Sequence, residues 1–361
     1  PTTGTYTDIP DMAHGRWYPT LTMLGDGRVI TYSGLTETGL TNETVEIFTP
    51  GVGWSPEYPS GWTPPLYPRL HLLPNGSIFY SGPSPASRFF NPSTKGWTGV
   101  VAPTNHGGSR LYGSSVLLPL SPADGYKPRV MIMGGGSPAT ATTELIDLSQ
   151  PYPKWQYGPP MSQPRIEMNA TLLPNGNVLM LGGSLIDEDA ATASLNADLY
   201  NPKTNTVSSA GANAFPRLYH SVSLLLPDAT VLLLGGNPSR GVVEPHMEIY
   251  TPSYLLNADG SLKPRPIISS VPSGPINYGQ SFQVGTSDAA SISSVVLARL
   301  GTPTHSFDNE QRLVELTYTA GTDSLTVTAP PYGNIAPPGY YMLFILNSAG
   351  VPAVAQYGQI L

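Results

Sequence analysis

Apolar and polar positions alternate in short runs along most of the chain, and the runs recur in a fixed order. Five times a strand-like stretch passes through a turn signal into a second apolar strand that ends at or near a Gly-Gly or Ser-Gly step. These are RWYPTLTMLGDGRVITYSG from Arg16, LYPRLHLLPNGSIFYSG from Leu66, GSSVLLPLSPADGYKPRVMIMGGG from Gly113, PRIEMNATLLPNGNVLMLGG from Pro164 and PRLYHSVSLLLPDATVLLLGG from Pro216. After each comes a third, more polar strand that closes on an aromatic or apolar residue and a turn: VEIFTPG at Val45, SRFFNPS at Ser87, ELIDLSQ at Glu144, ADLYNPK at Ala197 and MEIYTPS at Met247. A self-similar period of roughly 40 to 50 residues built from short strands predicts a β-propeller, because one such sheet buries its faces only by stacking on its neighbours. No sustained helical period occurs, so the predicted class is all-β.

The repeat stops between Leu256 and Pro266, where NADGSLKPRP has the polar, Gly/Pro-punctuated character of a boundary. The sequence therefore divides into propeller blades over 1–262 and a second domain over 263–361. There the strands shorten into ISSV, SFQVGT, SVVLARL, LVELTYTA, SLTVTAP, YYMLFIL and AVAQYGQIL. Alternation in runs spaced about 8 to 15 residues apart predicts an immunoglobulin-like sandwich.

Composition narrows the function classes. The 38 glycines and 40 prolines in 361 residues exceed average usage, but they fall at strand ends and turns and so punctuate strands rather than mark disorder. Charged residues are 11% of the chain, the net charge is −7 and no basic run exists, which argues against a nucleic-acid partner. No apolar run reaches the roughly 18 residues of a membrane span, and no basic-plus-apolar leader opens the chain. The expectation is a soluble protein with no membrane partner. Low charge, abundant Tyr, Pro, Ser and Thr, and Asn-x-Ser/Thr sequons at Asn42, Asn75 and Asn169 suit an extracellular, secreted protein. The chain has no cysteine, which removes disulfide and thiolate chemistry.

Candidate chemistry concentrates on the six histidines. His14 and His106 fall in Gly-rich polar stretches that read as exposed loops, His71 lies inside an apolar strand, and His246 precedes an outer strand; each has an ordinary structural account. Tyr219 and His220 are adjacent, just inside the first strand of the last repeat, where inner strand ends converge on a propeller's channel. Adjacent strand residues point to opposite faces, so both reach one metal only if the backbone is twisted or bulged there. His305 sits in the polar loop GTPTHSFDNEQR. Local residues alone leave His220 and His305 open between a structural and a ligand role.

RLYHSVSLLLPDATVLLLGG, continuing through GGNPSRGVVEPHMEIYTPSYLL, resembles the last propeller blade of the copper radical oxidases, the galactose oxidase and glyoxal oxidase family. THSFDNEQR at Thr304 and APPGYYMLFILNSAGVPAVA at Ala336 resemble that family's carboxy-terminal domain, and GRWYPTLTMLGDGR at Gly15 resembles its first tyrosine-bearing strand. LYPRLHLLPNG, HSFDNEQR and APPGYYMLF are closer to the glyoxal oxidase branch. The resemblance implies a kelch-type propeller of seven blades, five of them visible here, and a sandwich domain supplying one metal ligand. Carried over residue by residue, the radical-forming equatorial tyrosine falls on Tyr18, the axial tyrosine on Tyr219 and the copper-binding imidazoles on His220 and His305. Two imidazoles with phenolate and solvent oxygens suit tetragonal Cu(II). The implied activity is oxidation of a small aldehyde or primary alcohol with dioxygen to give hydrogen peroxide. Copper accepts one electron and a tyrosyl radical at Tyr18 the other, while Tyr219 takes the substrate hydroxyl proton. Tyr67, Arg69 and Arg165 lie near inner strand starts and are candidates either for the substrate entrance or for structural roles.

The sequence departs from the family in two places. The family's equatorial tyrosine is joined by a thioether to an upstream cysteine, whereas seventeen residues precede Tyr18 here and none is Cys. The simplest expectation is the carboxy-terminal part of a longer polypeptide, with the missing blades, and the cysteine on them, either a separate fragment or a further part of the same polypeptide. PTTGTYTDIPDM reads like the tail of a preceding blade's turn. Two alternatives remain: a copper-binding relative without the radical, and a non-catalytic propeller that binds carbohydrate or protein. The tryptophan that covers the cross-linked tyrosine in galactose oxidase falls on Thr36 here, and Trp17, a strand neighbour of Tyr18, is expected on the opposite face.

Overall fold

The computed structural model describes residues 5–6 and 8–361, so PTTGTYTDIPDM lies partly outside the described residues. Among the described residues there is no α-helix, only four short 3-10 turns, and no helix is long and apolar enough to cross a membrane. The alternation in the sequence becomes five antiparallel sheets in chain order. They open on Thr20–Met23, Arg69–Leu72, Ser114–Leu117, Ile166–Leu172 and Val222–Leu225. Each opening strand pairs with the next strand of its own repeat, and that strand with a third. In the D-G and N-G turns joining the first two strands, Gly27, Gly76 and Gly176 take φ of 84, 83 and 87°, a conformation that favours glycine. The opening strands also neighbour one another in sequence order from the first sheet to the fifth.

The first four sheets carry additional edge strands that the pattern does not predict, such as Gly53–Trp54, Gly96–Trp97, Gln156–Tyr157 and Thr206–Ala212. The last of these, TVSSAGA, is made of small, mostly exposed residues and carries no apolar alternation to read. In the fourth sheet Ile166–Leu172 and Val178–Ser184 are buried at every position, as expected of strands covered on both faces. Each such aliphatic side chain taken out of water contributes roughly 1.5–3 kcal/mol.

Four of the five sheets share one internal bond. A buried arginine shortly before the opening strand pairs with a carboxylate on the third strand: Arg16–Glu46 at 2.9 Å, Arg110–Glu144 at 2.8 Å, Arg165–Asp198 at 2.6 Å and Arg217–Glu248 at 2.6 Å. Each guanidinium also donates to main-chain carbonyls, so the buried charge is matched by acceptors on several sides.

Beyond Pro266 lie a three-stranded sheet of Ser281–Gly285, Ser324–Thr328 and Tyr318–Ala320 and a four-stranded sheet of Leu313–Leu316, Ile292–Arg299, Gly339–Asn347 and Gln356–Ile360. The run LVELTYTA thus splits between the two sheets, and ISSV holds only an isolated bridge from Ser270 to Gly285. Val295, Leu297, Val314, Leu325 and Val327 belong to an apolar cluster that continues without a break into Leu117, Val130 and Ile132 of the third sheet. Of the three sequons, Asn42 and Asn169 are buried, at 4% and 5% exposure, and only Asn75 is exposed.

A short hairpin, Pro303–Thr304 with Phe307–Asp308, projects from this region against the opening strands of the third, fourth and fifth sheets. The residues after it fasten it further. Asn309 donates to Leu21 O, Glu310 accepts from Met23 N at 3.3 Å, Gln311 bonds both Leu172 N and Ala170 O, and Arg312 donates to Leu72 O at 2.6 Å.

Candidate metal centre

At or just before each opening strand one residue leaves the strand conformation. Tyr18, Tyr67, Tyr112, Glu167 and His220 have φ of 64, 47, 54, 59 and 66°. A left-handed residue with a Cβ costs on the order of 1–2 kcal/mol and persists only where its surroundings hold it. Its effect is to break the strand alternation, so that neighbours a regular strand would send to opposite faces can share one. This is the twist that Tyr219 and His220 require. His305 and Ser306, with φ of 47 and 71°, turn the tip of the hairpin in the same way.

The four residues inferred as ligands come together. The hydroxyls of Tyr18 and Tyr219 lie 3.0 Å apart, and Nε2 of His220 lies 3.2 Å from Nε2 of His305. Ring centroids are 4.8 Å apart for Tyr18 and His305, 4.0 Å for Tyr219 and His220, and 5.1 Å for Tyr219 and His305. Three separate parts of the chain supply them: the first sheet, the fifth sheet and the hairpin.

Hydrogen bonds set the donor atoms. Asn237 donates through Nδ2 to Val242 O at 3.0 Å, which turns its Oδ1 toward His220 Nδ1 at 2.9 Å. His220 therefore carries its proton on Nδ1 and presents a bare Nε2. His305 Nδ1 lies 2.6 Å from Thr304 Oγ1, a hydroxyl able to donate or accept. His305 can thus give an N–H···N bond to His220 in the metal-free protein, or offer a second lone pair when a cation lies between them. Burial, then the neighbouring His220, push His305 down to about 4, so it is neutral near pH 7, as an imidazole ligand must be. Burial, then the hydrogen bond with Tyr18, hold Tyr219 well above the usual phenol range. Only a nearby cation would favour its phenolate. Two imidazole nitrogens and two phenol oxygens gathered in one cluster fit the donor preference of a Cu(II)-type ion. Among the described residues no group of three or more His, Cys, Asp or Glu forms a rival metal cluster.

Around this group the structure corrects three expectations. Trp17 does not face away: its ring stacks on Tyr18 with centroids 3.5 Å apart and planes at 13°. The left-handed turn at Tyr18 removes the alternation, and main-chain bonds in both directions between Trp17 and Leu35 fix the tryptophan in place. Arg165 and Arg69 are not at an entrance. Arg165 is fully buried in its pair with Asp198, and Arg69, 4% exposed, donates to Arg110 O at 2.7 Å. Both guanidiniums are drawn inward because buried carboxylate and carbonyl acceptors await them. Tyr67 does approach the centre. It stacks on His305 at 4.2 Å and tilts against Tyr18 at 4.5 Å. With Thr304 it also borders a cleft of about 530 Å³ walled by Leu21, Met23, Leu300 and Phe307.

The other histidines keep structural roles: His71 bonds Ser115 at 2.8 Å, while His14 and His246 pair with Glu37 and Glu244. His106 is half-buried. Sequence reasoning missed Asn237, Thr304 and Glu167, whose carboxylate accepts the Tyr219 N–H at 3.2 Å. A signal for Glu167 was present. Arg16, Arg110, Arg165 and Arg217 each precede by two positions a residue at the centre, namely Tyr18, Tyr112, Glu167 and Tyr219.

Comparisons with known proteins identify the family to which the chain belongs. Residues 5–248 match the family model "Glyoxal oxidase N-terminus", and residues 265–360 match "Galactose oxidase-like, Early set domain". The chain is 30% identical over 376 residues to a galactose oxidase of Gibberella zeae, covering 96% of this chain and 54% of that protein. It is 32% identical over 394 residues to the aldehyde oxidase GLOX of Vitis pseudoreticulata, covering 97% of this chain and 73% of that one. A solved fungal alcohol oxidase of the AA5 family, in complex with copper, aligns with a TM-score of 0.85 at 25% identity, covering 98% of this chain and 77% of that chain. The chain spans about half the length of the galactose oxidases it matches, 54%.

Proposed function

Because the chain belongs to the glyoxal oxidase and galactose oxidase family of copper radical oxidases, we propose that it is a mononuclear copper oxidase. It converts a small aldehyde or primary alcohol, with dioxygen as acceptor, to the oxidised product and hydrogen peroxide. The observation that carries this reading is the meeting of Tyr18, Tyr219, His220 and His305, with hydroxyls 3.0 Å apart and imidazole nitrogens 3.2 Å apart. Copper held by these four residues would supply one of the two electron acceptors and a binding point for the substrate oxygen. With a cation holding it as phenolate, Tyr219 would be the base, receiving the hydroxyl proton of the alcohol or of the aldehyde's hydrate. Tyr18 is the residue oxidised by one electron, and Trp17 stacked on it keeps water from one face of the ring. Asn237 and Thr304 orient the imidazoles. The cleft beside Tyr67, with mostly aliphatic and aromatic walls, suits a small substrate.

In this reading the five sheets act as propeller blades and residues 263–361 as an immunoglobulin-like sandwich whose hairpin brings His305 to the hub. An extracellular location is part of the proposal, supported by the low charge and the exposed sequon at Asn75. A second reading is a copper-binding relative without the radical, which needs only the four converging side chains and no oxidation of Tyr18.

The test is to load the purified chain with Cu(II), measure metal content, and follow peroxide with glyoxal-type aldehydes, small primary alcohols and galactose. The oxidase reading expects one copper per chain, peroxide from at least one aldehyde or alcohol, and loss of both in His220→Ala and His305→Ala. Stoichiometric copper without peroxide supports the second reading; no copper at all ends both.

A further inference from the structure

The residue that stands out near the centre is the one that breaks a repeat. Of the five left-handed positions, Tyr18, Tyr67 and Tyr112 are tyrosines and the fifth is His220 beside Tyr219, but the fourth is Glu167. Glu167 is 1% exposed and its N–H donates to Tyr112 O at 2.7 Å. One carboxyl oxygen, Oε2, accepts the main-chain N–H of Tyr219 at 3.2 Å, that of Glu188 at 3.4 Å and the Ser184 hydroxyl at 3.5 Å, and the carboxyl neighbours that of Asp187. Glu188 is in turn paired with Arg240 at 2.7 Å.

Tyr219 needs such a partner. It lies three residues before the strand Val222–Leu225, outside the sheet's ladder, and is followed by left-handed His220. Its carbonyl is taken by Asn237 N at 2.8 Å, and its N–H by Glu167. A half-buried main-chain donor with no acceptor is unfavourable, so without the carboxylate this peptide would rotate to find another partner. That rotation would carry the Tyr219 ring away from Tyr18 and from the imidazoles.

We propose that Glu167 is a positioning residue for Tyr219: its carboxyl pins the Tyr219 peptide to the 184–189 loop and so fixes where the phenol oxygen stands at the metal. The inference rests on the copper reading above and goes beyond it by naming what holds the axial phenol. What it requires of Glu167 is an acceptor oxygen at that reach, and glutamine supplies one.

The experiment compares copper-loaded wild type, Glu167→Gln and Glu167→Ala by copper affinity, by the phenolate-to-Cu(II) charge-transfer absorption and by kcat and KM. Glu167→Gln is expected to keep the absorption band and stay within about threefold of wild type. Glu167→Ala is expected to weaken or shift the band and to lower kcat by about 10- to 100-fold with KM little changed, the usual scale for losing a residue that orients a ligand. An unchanged band and kcat in Glu167→Ala would overturn the proposal, and so would a Glu167→Gln variant as impaired as Glu167→Ala. Hydrogen exchange of the Tyr219 amide in metal-free wild type gives a check that needs neither copper nor a folded alanine variant. Protection that persists in Glu167→Gln supports the pin, whereas exchange as fast as an open loop overturns it. A wild type that binds no copper yet protects this amide would sink the oxidase reading and leave the pin itself intact.

Discussion

The fourth sheet and the two sheets at the ends of the array, the first and the fifth, are built from the same repeat but live in different surroundings. In the fourth sheet every residue of the two inner strands is buried, and the Arg165–Asp198 pair is sealed, with side chains 0% and 2% exposed. At the ends, Leu21, Met247 and Ile249 are exposed, and the Glu248 partner of Arg217 keeps 18% exposure. Yet the end sheets carry Tyr18, Tyr219 and His220, while the fourth contributes only Glu167 behind them. The difference teaches that one motif serves two ends: the fourth copy is packing throughout, whereas the first keeps an equally sealed Arg16–Glu46 pair and yet, with the fifth, places the candidate donors.

The sharpest way to break this contrast is to remove the central ion pair. Arg165→Ala leaves Asp198 buried and unpaired and is expected to cost about 3–5 kcal/mol in urea unfolding. Arg28→Ala, which removes the exposed pair with Asp26 in the first sheet's turn, should cost less than about 1 kcal/mol. Equal losses would refute the idea that burial sets what each pair is worth. Next in size is the metal itself. Copper at about 100 times its dissociation constant should stabilise the folded chain by about 2.7 kcal/mol, read as a rise in Tm, because it binds only when the end sheets and hairpin are assembled. His305→Ala should abolish that rise.

A third prediction concerns His71, buried between the second and third sheets and pushed down to about 3, chiefly by burial and then by Arg312 and Arg69. Its folded-state pKa lies below the unfolded value of 6.5, so the unfolded chain binds the extra proton between the two. Its contribution is whole above pH 6.5 and is lost as pH falls toward 3. At pH 5 this one group should remove about 2 kcal/mol relative to pH 7. His71→Gln should lose correspondingly less between those two pH values; a wild type and variant with parallel pH profiles would exclude the effect. The smallest change is expected at the fifth sheet's exposed face, where Ile249→Ser should shift stability by no more than about 0.5 kcal/mol. A large loss there would mean that the end sheet is more tightly packed than its exposure indicates.

Much of this was legible without coordinates because strand periodicity is local. The five repeats correspond to five sheets, and the turn signals at Gly27, Gly76 and Gly176 are the turns. Edge strands such as Thr206–Ala212 were invisible, since their pairing comes from the neighbouring strand and not from any alternation of their own. Trp17 was misplaced for a related reason. Alternation assumes extended backbone, and nothing in RWYPT announces that Tyr18 turns left-handed. Arg69 and Arg165 were ambiguous because an arginine at a strand start suits a substrate entrance and a buried acceptor equally well until its partner is known.

The order of residues by itself determined the all-β class, the repeat and its turns, since these depend on side-chain chemistry and on neighbours a few positions away; the four candidate donors it named only through resemblance to a family. Only the tertiary structure decided that Tyr18 meets Tyr219, that His305 reaches His220, and that Glu167 rather than a fourth left-handed tyrosine stands behind the site. Those contacts join residues far apart in the chain, and they follow from how sheets stack and where backbones turn left-handed, which no short window of sequence encodes.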